Sequence, residues 1–174
     1  MPCGSKLNSI SAKEEFSMVK VGDKAPDFDL YDTDRKPRTL KEFLGKKTVL
    51  VFYPGAFTGV CTKEMCAFRD SISKFNEMNA HIVGISVDSP FSNKAFKEKH
   101  ELQYPLLSDF SRYVCIQYAG GLTLGLGGVS GYTSSKRSVF TLDKEGIVRY
   151  AWISEDPAVE PNYDEVAKAL SAIN

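Results

Sequence analysis

The apolar positions of this chain change period several times, and each change marks an element. From Val19 the pattern tightens: Ala25-Pro26-Asp27-Phe28-Asp29-Leu30-Tyr31 and Arg38-Thr39-Leu40 read as an opening hairpin, followed by a short helical turn at Lys41 to Leu44. Thr48-Val49-Leu50-Val51-Phe52-Tyr53 is a continuous β-branched and apolar run, too short for a helix, which predicts a buried central strand that Pro54 stops. Beyond it, Cys61, Met65, Phe68, Ile72 and Phe75 recur at spacings of four and three and define one apolar helix face. His81 to Asp88 reads as a second buried strand, and Ser89-Pro90 opens a helix through about Glu101 by a cap followed by proline. Tyr104 to Leu107 predicts a short strand, Ser111 to Tyr118 a short helix, and Gly120 to Ser135 a glycine-rich loop. Ser138 to Leu142 and Ile147 to Trp152, joined by Asp143-Lys144-Glu145-Gly146, form a hairpin, and a final helix runs from about Tyr163 to Ala172.

Parallel β-α-β units followed by an antiparallel hairpin and a closing helix predict an α/β protein of thioredoxin-like architecture: a central mixed sheet flanked by helices, with an N-terminal hairpin extension. Residues 1–18 are polar and aperiodic and are expected to be a flexible extension, which leaves 19–174 as a single domain. A chain of 174 residues can bury a core of its own without disulfide or metal staples.

Charge narrows the partners. Lys plus Arg number 22 and Asp plus Glu number 22, so there is no basic field for nucleic acid or for an anionic membrane. No apolar stretch approaches the length of a bilayer span, and the amino end lacks the apolar segment of a secretory signal. The expected location is cytoplasmic. Four cysteines are too few for a disulfide scaffold and read as reactive or core thiols. Cys61 and Cys66 lack the short spacing of zinc ligands, and His81 and His100 show no paired arrangement with them, so both histidines read as structural or solvated rather than as ligands. Cys3, in the extension, reads as an exposed bystander.

Cys61 carries the chemistry. It follows the central strand and falls in the first turn of a helix, where unpaired N–H groups and the positive end of the macrodipole favour a thiolate over a thiol. Thr58 is placed to cap that helix by accepting from the Cys61 N–H. Pro54 ends the strand, Glu64 is a favourable anion near a helix start, and Arg137, read alone, is a solvated arginine at a strand end.

The spacing Pro54-x-x-x-Thr58-x-x-Cys61 resembles the active-site motif of the peroxiredoxins, and the likeness covers most of residues 20–172. It extends through Ala25-Pro26-Asp27-Phe28, Tyr104 to Asp109, Lys136 to Phe140 and Asp143 to Gly146. Cys66, five residues after Cys61, is similar to the Q-type, bacterioferritin-comigratory branch, while Gly55-Ala56-Phe57-Thr58 is also similar to the fifth class. The resemblance implies roles for six residues. Cys61 would attack peroxide, Thr58 would hold a hydroxyl against the sulfur and the substrate, and Pro54 would shield the sulfur. Arg137 would favour the thiolate, Glu64 would orient that arginine, and Cys66 would resolve the resulting sulfenic acid as an intramolecular disulfide. A thioredoxin-like or glutaredoxin-like protein would then restore both thiols, and no metal, flavin or nicotinamide cofactor is required. The expected assembly is a monomer or homodimer.

Several readings stay open from the residues alone. Cys66 also fits a partly buried helix residue without redox role, and Cys115, read as a core thiol, is the second candidate for resolution. A thiol-disulfide oxidoreductase would show Cys-x-x-Cys, which Cys61-Thr62-Lys63-Glu64 lacks; a redox-sensing interaction module is the rival from another class. Gly125 to Ser130 lacks the third glycine of a dinucleotide fingerprint, so a mobile loop near the pocket or an interface is expected there, and Trp152 is expected to pack.

Overall fold

A computed structural model describes residues 18–174; the expectations for the extension and for Cys3 lie outside the described residues. In chain order the strands and helices are β1 (Asp29–Asp32), β2 (Pro37–Thr39), β3 (Lys47–Phe52), α1 (Gly59–Asp70), α2 (Ile72–Glu77), β4 (Ala80–Ser86), α3 (Pro90–Lys99), β5 (Leu106–Ser108), α4 (Tyr113–Ala119), β6 (Leu122–Leu124), β7 (Thr133–Ser135), β8 (Ser138–Leu142), β9 (Val148–Ile153) and α5 (Tyr163–Ser171). Seven strands form one mixed sheet in the order β2-β1-β5-β4-β3-β8-β9. β3 pairs in parallel with β4, and β4 with β5, while β8 and β9 continue the sheet antiparallel. The opening hairpin is its other edge, through β1 against β5.

Alternate residues of the central strands feed two cores. Val49, Val51 and Tyr53 point to the face covered by α1, α2, α3 and α5, whose Met65, Phe68, Phe75, Phe96, Val166 and Leu170 are buried there. Leu50, Phe52 and Phe140 point to the other face, where Phe28, Leu40 and Phe43 pack with Val114, Cys115 and Tyr118 of α4. Both faces of β3 are closed, which is why its sequence runs apolar without alternation.

Two expectations are corrected. The apolar series from Cys61 to Phe75 is broken at Ser71, whose φ −96° and ψ 5° separate α1 from α2. Asp70 and Ser71 are weak interior helix formers, and the bend brings the Phe75 ring to 5.9 Å from that of Phe68. The glycine-rich stretch is folded: β6 and β7 pair antiparallel around a 3-10 turn at Leu126–Gly128, with left-handed backbone at Gly125, Gly127, Gly128 and Gly131. Its strands are three residues each and its turns use glycine to reach positive φ, so no hydrophobic period announces them.

Candidate active site

Parallel β3 and β4 end at the same edge of the sheet, and the segments leaving them meet there, in the crevice that such an edge creates. The first segment, Tyr53 to Thr58, leads into α1. Pro54 and Gly55 are buried within it, Phe57 takes a left-handed φ of 64°, and Thr58 is the N-cap of the helix. Cys61 is therefore the third helical residue, among N–H groups with no intrahelical acceptor, and it is 1% exposed.

Arg137 comes from the residue before β8, the antiparallel neighbour of β3, and reaches the sulfur from the opposite side: Nη2 donates to Cys61 Sγ at 3.3 Å. The side chain is 1% exposed, so Arg137 is not the solvated arginine that the residue alone suggests but lies buried beside Cys61, where the resemblance implies it. Nη1 pairs with Glu64 Oε2, and the Pro157 carbonyl accepts from Nε at 3.1 Å and from Nη2 at 2.6 Å. Cys61 and Glu64 lie three residues apart on α1, so one turn of helix holds the sulfur and the carboxylate that aligns the arginine. Burial opposes the charge of Arg137, but Glu64 and Cys61 outweigh it and hold the group more firmly protonated than usual. For Glu64 the balance runs the other way: burial pushes its carboxyl up to about 7 against the attraction of Arg137, and its Oε1 has no hydrogen-bond partner.

Thr58 does not cap α1 with its side chain. Its hydroxyl donates instead to the Gly55 carbonyl at 2.9 Å, folding the side chain back over its own loop. The proton is thereby committed and the oxygen keeps its lone pairs as acceptors, in a residue that borders a pocket of about 190 Å³. That pocket is lined by Thr58, Val60, Cys61, Leu126, Arg137 and Pro157, among others, with more apolar than polar wall.

Cys66 sits in the same helix as Cys61, half-buried. Cys115 is on α4, under the opposite face of the sheet. His81 packs its ring edge-on against Phe43 and His100 against Phe96, in keeping with structural roles. Trp152 packs against the core on the α1 face.

Several contributors to the site were not singled out from sequence. Pro157 follows β9 and anchors Arg137 by its carbonyl, a role no side chain announces. Leu126 closes the pocket from the β6–β7 ribbon. Asp88, just past β4, accepts from the Ala56 N–H at 2.8 Å. A carboxylate ending the strand parallel to the cysteine-bearing one was the available signal for it.

The family model for the AhpC/TSA family matches residues 21–151. A chloroplastic peroxiredoxin Q of Populus jackii is 39% identical over 158 residues, covering 91% of this chain and 71% of that protein. Among solved structures, the peroxidoxin BcpB of Mycobacterium tuberculosis is 37% identical with a TM-score of 0.77, covering 91% of this chain and 99% of that one. The bacterioferritin comigratory protein of Xanthomonas campestris, described by its alkyl peroxide reduction activity, is 28% identical with a TM-score of 0.72, covering 83% and 90%.

Proposed function

Since this chain belongs to the AhpC/TSA family and is a peroxiredoxin, a thiol peroxidase with the thioredoxin fold, we propose that Cys61 is its peroxidatic sulfur and Cys66 its resolving one. The observation that carries the reading is the buried Arg137 fork, shared between the Cys61 sulfur and Glu64. A fixed guanidinium 3.3 Å from sulfur favours the anion by charge and by hydrogen bond, at the end of a helix that favours it as well.

The Cys61 thiolate displaces at oxygen: an S–O bond forms, the O–O bond breaks, and the leaving oxygen takes a proton to depart as water or an alcohol. Sulfur is oxidised to the sulfenic acid and the peroxide is reduced. Arg137 and the N–H groups at the start of α1 stabilise charge moving to the leaving oxygen, while Thr58 accepts from the attacked hydroperoxide O–H. Pro54 keeps water from the sulfur. Hydrogen peroxide and small organic hydroperoxides both fit this pocket, and its apolar wall accepts an alkyl substituent.

Resolution condenses the Cys66 thiol with the sulfenic acid, forming S–S and releasing water. In an intact helix, positions five apart have Cα atoms roughly 8 to 9 Å apart, pointing about 140° away from each other. A disulfide needs less than about 7 Å. Since α1 holds both cysteines, its first turn must unwind before they join. The position of Cys115 across the sheet favours Cys66 as the partner. A dithiol protein of thioredoxin or glutaredoxin type then reduces the bond, in the reducing cytoplasmic setting that the cysteine complement suits.

A turnover assay with hydrogen peroxide, an alkyl hydroperoxide and a thioredoxin system tests the reading. Cys61→Ser should abolish peroxide reduction, and disulfide maps after peroxide treatment should lose the intramolecular bond in Cys66→Ser but keep it in Cys115→Ser. A bond that survives in Cys66→Ser and disappears in Cys115→Ser would overturn the assignment of the resolving thiol.

A further inference from the structure

We propose that Asp88 is a positioning residue that sets the Thr58 hydroxyl through the peptide unit joining Gly55 to Ala56. The inference rests on the peroxidase reading above and adds to it a residue outside the sulfur's immediate contacts.

The geometry is a relay across one planar amide. Asp88 Oδ2 accepts from the Ala56 N–H at 2.8 Å, and the Gly55 carbonyl, the other end of the same peptide unit, accepts from Thr58 Oγ1 at 2.9 Å. A carbonyl oxygen only accepts, so Thr58 is the donor and its lone pairs stay free to take the hydroperoxide O–H. A carboxylate bound to the N–H end polarises the amide and makes its carbonyl the stronger acceptor, which holds the Thr58 proton in that direction.

Asp88 is held in its turn. Its N–H donates to Ser86 Oγ at 3.2 Å and its carbonyl accepts from the Ser108 hydroxyl. Ser86 Oγ accepts from Asn93 Nδ2 at 3.1 Å, and Asn93 Oδ1 accepts from the Tyr53 hydroxyl at 2.7 Å. Tyr53 immediately precedes Pro54, so this buried network ties the ends of β3, β4 and β5 to the start of α3 and returns to the active-site loop.

The choice of a carboxylate is informative. Tyr132, just before β7, has its hydroxyl pKa raised by burial and then by Asp88, against the opposing charge of Arg112, so the Asp88 carboxylate is felt across this side of the site. A negative charge near a sulfur that must itself be negative works against the thiolate. A neutral amide could accept from Ala56 without that repulsion. The charge is useful if the loop needs the stronger, charge-assisted bond.

The test is a double-mutant cycle on the rate constant of peroxide with reduced protein, Asp88→Ala and Asp88→Asn each combined with Thr58→Val. With Thr58 present, Asp88→Ala should slow the reaction about tenfold and Asp88→Asn, which keeps an oxygen acceptor without its charge, about threefold. In the Thr58→Val background either change should cost less than about twofold, because the relay has lost its last member. Alkylation of Cys61 by iodoacetamide, which needs the thiolate but not Thr58, should be unchanged or faster in the Asp88 variants, where a like charge is removed from the sulfur's surroundings, and should fall by no more than about twofold in any variant. Equal losses in both Thr58 backgrounds, no loss with Thr58 present, or a parallel fall in alkylation would overturn the relay. If Asp88→Ala does not fold, the cycle with Asp88→Asn decides by the same criteria. Peroxidase activity surviving in Cys61→Ser would instead overturn the peroxidatic reading, so the two failures are distinguishable.

Discussion

Replacing Glu64 by Gln should flatten the pH dependence of stability in this protein. Glu64 is fully enclosed, and burial pushes its carboxyl from 4.5 up to about 7 despite the guanidinium beside it. At about 1.4 kcal/mol for each pH unit, that rise corresponds to about 3 kcal/mol. The sign follows from where the proton goes. An unfolded chain releases it near 4.5 while the folded one keeps it to about 7, so the stabilising contribution is fully present below 4.5 and is lost as pH rises through 7. Gln carries no such titration but keeps the shape of the protonated acid.

The measurement is urea unfolding across that window, comparing Cys61→Ser with Cys61→Ser/Glu64→Gln so that the thiol does not contribute. Every other titrating group is common to the pair and cancels. The Glu64 protein should lose about 3 kcal/mol relative to its Gln partner between pH 4.5 and pH 7. Parallel stability curves would refute the reasoning, because they would mean that Arg137 outweighs burial and keeps the carboxylate charged throughout.

Three further outcomes are expected. Hydrogen exchange across residues 58–70 should rise when Cys61 and Cys66 are oxidised, since both lie in α1; equal protection in the two redox forms would contradict the unwinding. Arg137→Lys keeps a cation but loses the fork that serves Cys61, Glu64 and the Pro157 carbonyl together, so the rate constant with peroxide should fall about a hundredfold; a change under threefold would show that charge alone suffices. A methyl at Gly84 would lie 2.5 Å from Leu106 Cδ2 and 2.7 Å from Met65 Cε, so Gly84→Ala should cost about 1 to 3 kcal/mol in denaturant unfolding, and an unchanged midpoint would show that the two side chains yield freely.

Where local pattern and tertiary environment demand the same thing, the residues alone were enough. The unbroken run from Thr48 to Phe52 could only be a strand closed on both faces, and a proline at its end followed by Thr58 and Cys61 put the thiol at a helix start whatever the rest of the chain did. The family resemblance extended this to Arg137 and Glu64, residues 73 positions apart that no local period connects.

Folding decided what depends on neighbours distant in sequence. The direction of the Thr58 hydroxyl was ambiguous between capping α1 and facing the pocket, and the fold of the loop sends its proton to Gly55. The anchoring of Arg137 by the Pro157 carbonyl, and the tether of the active-site loop by Asp88, arise because separate strands of the sheet end together. The separation of Cys115 from Cys61 has the same kind of cause: side-chain alternation along β3 divides the interior in two, and the helices bearing the two thiols cover opposite halves. Hydrophobic period reports which face of an element is buried; it carries no information about which backbone groups that burial brings within hydrogen-bond reach.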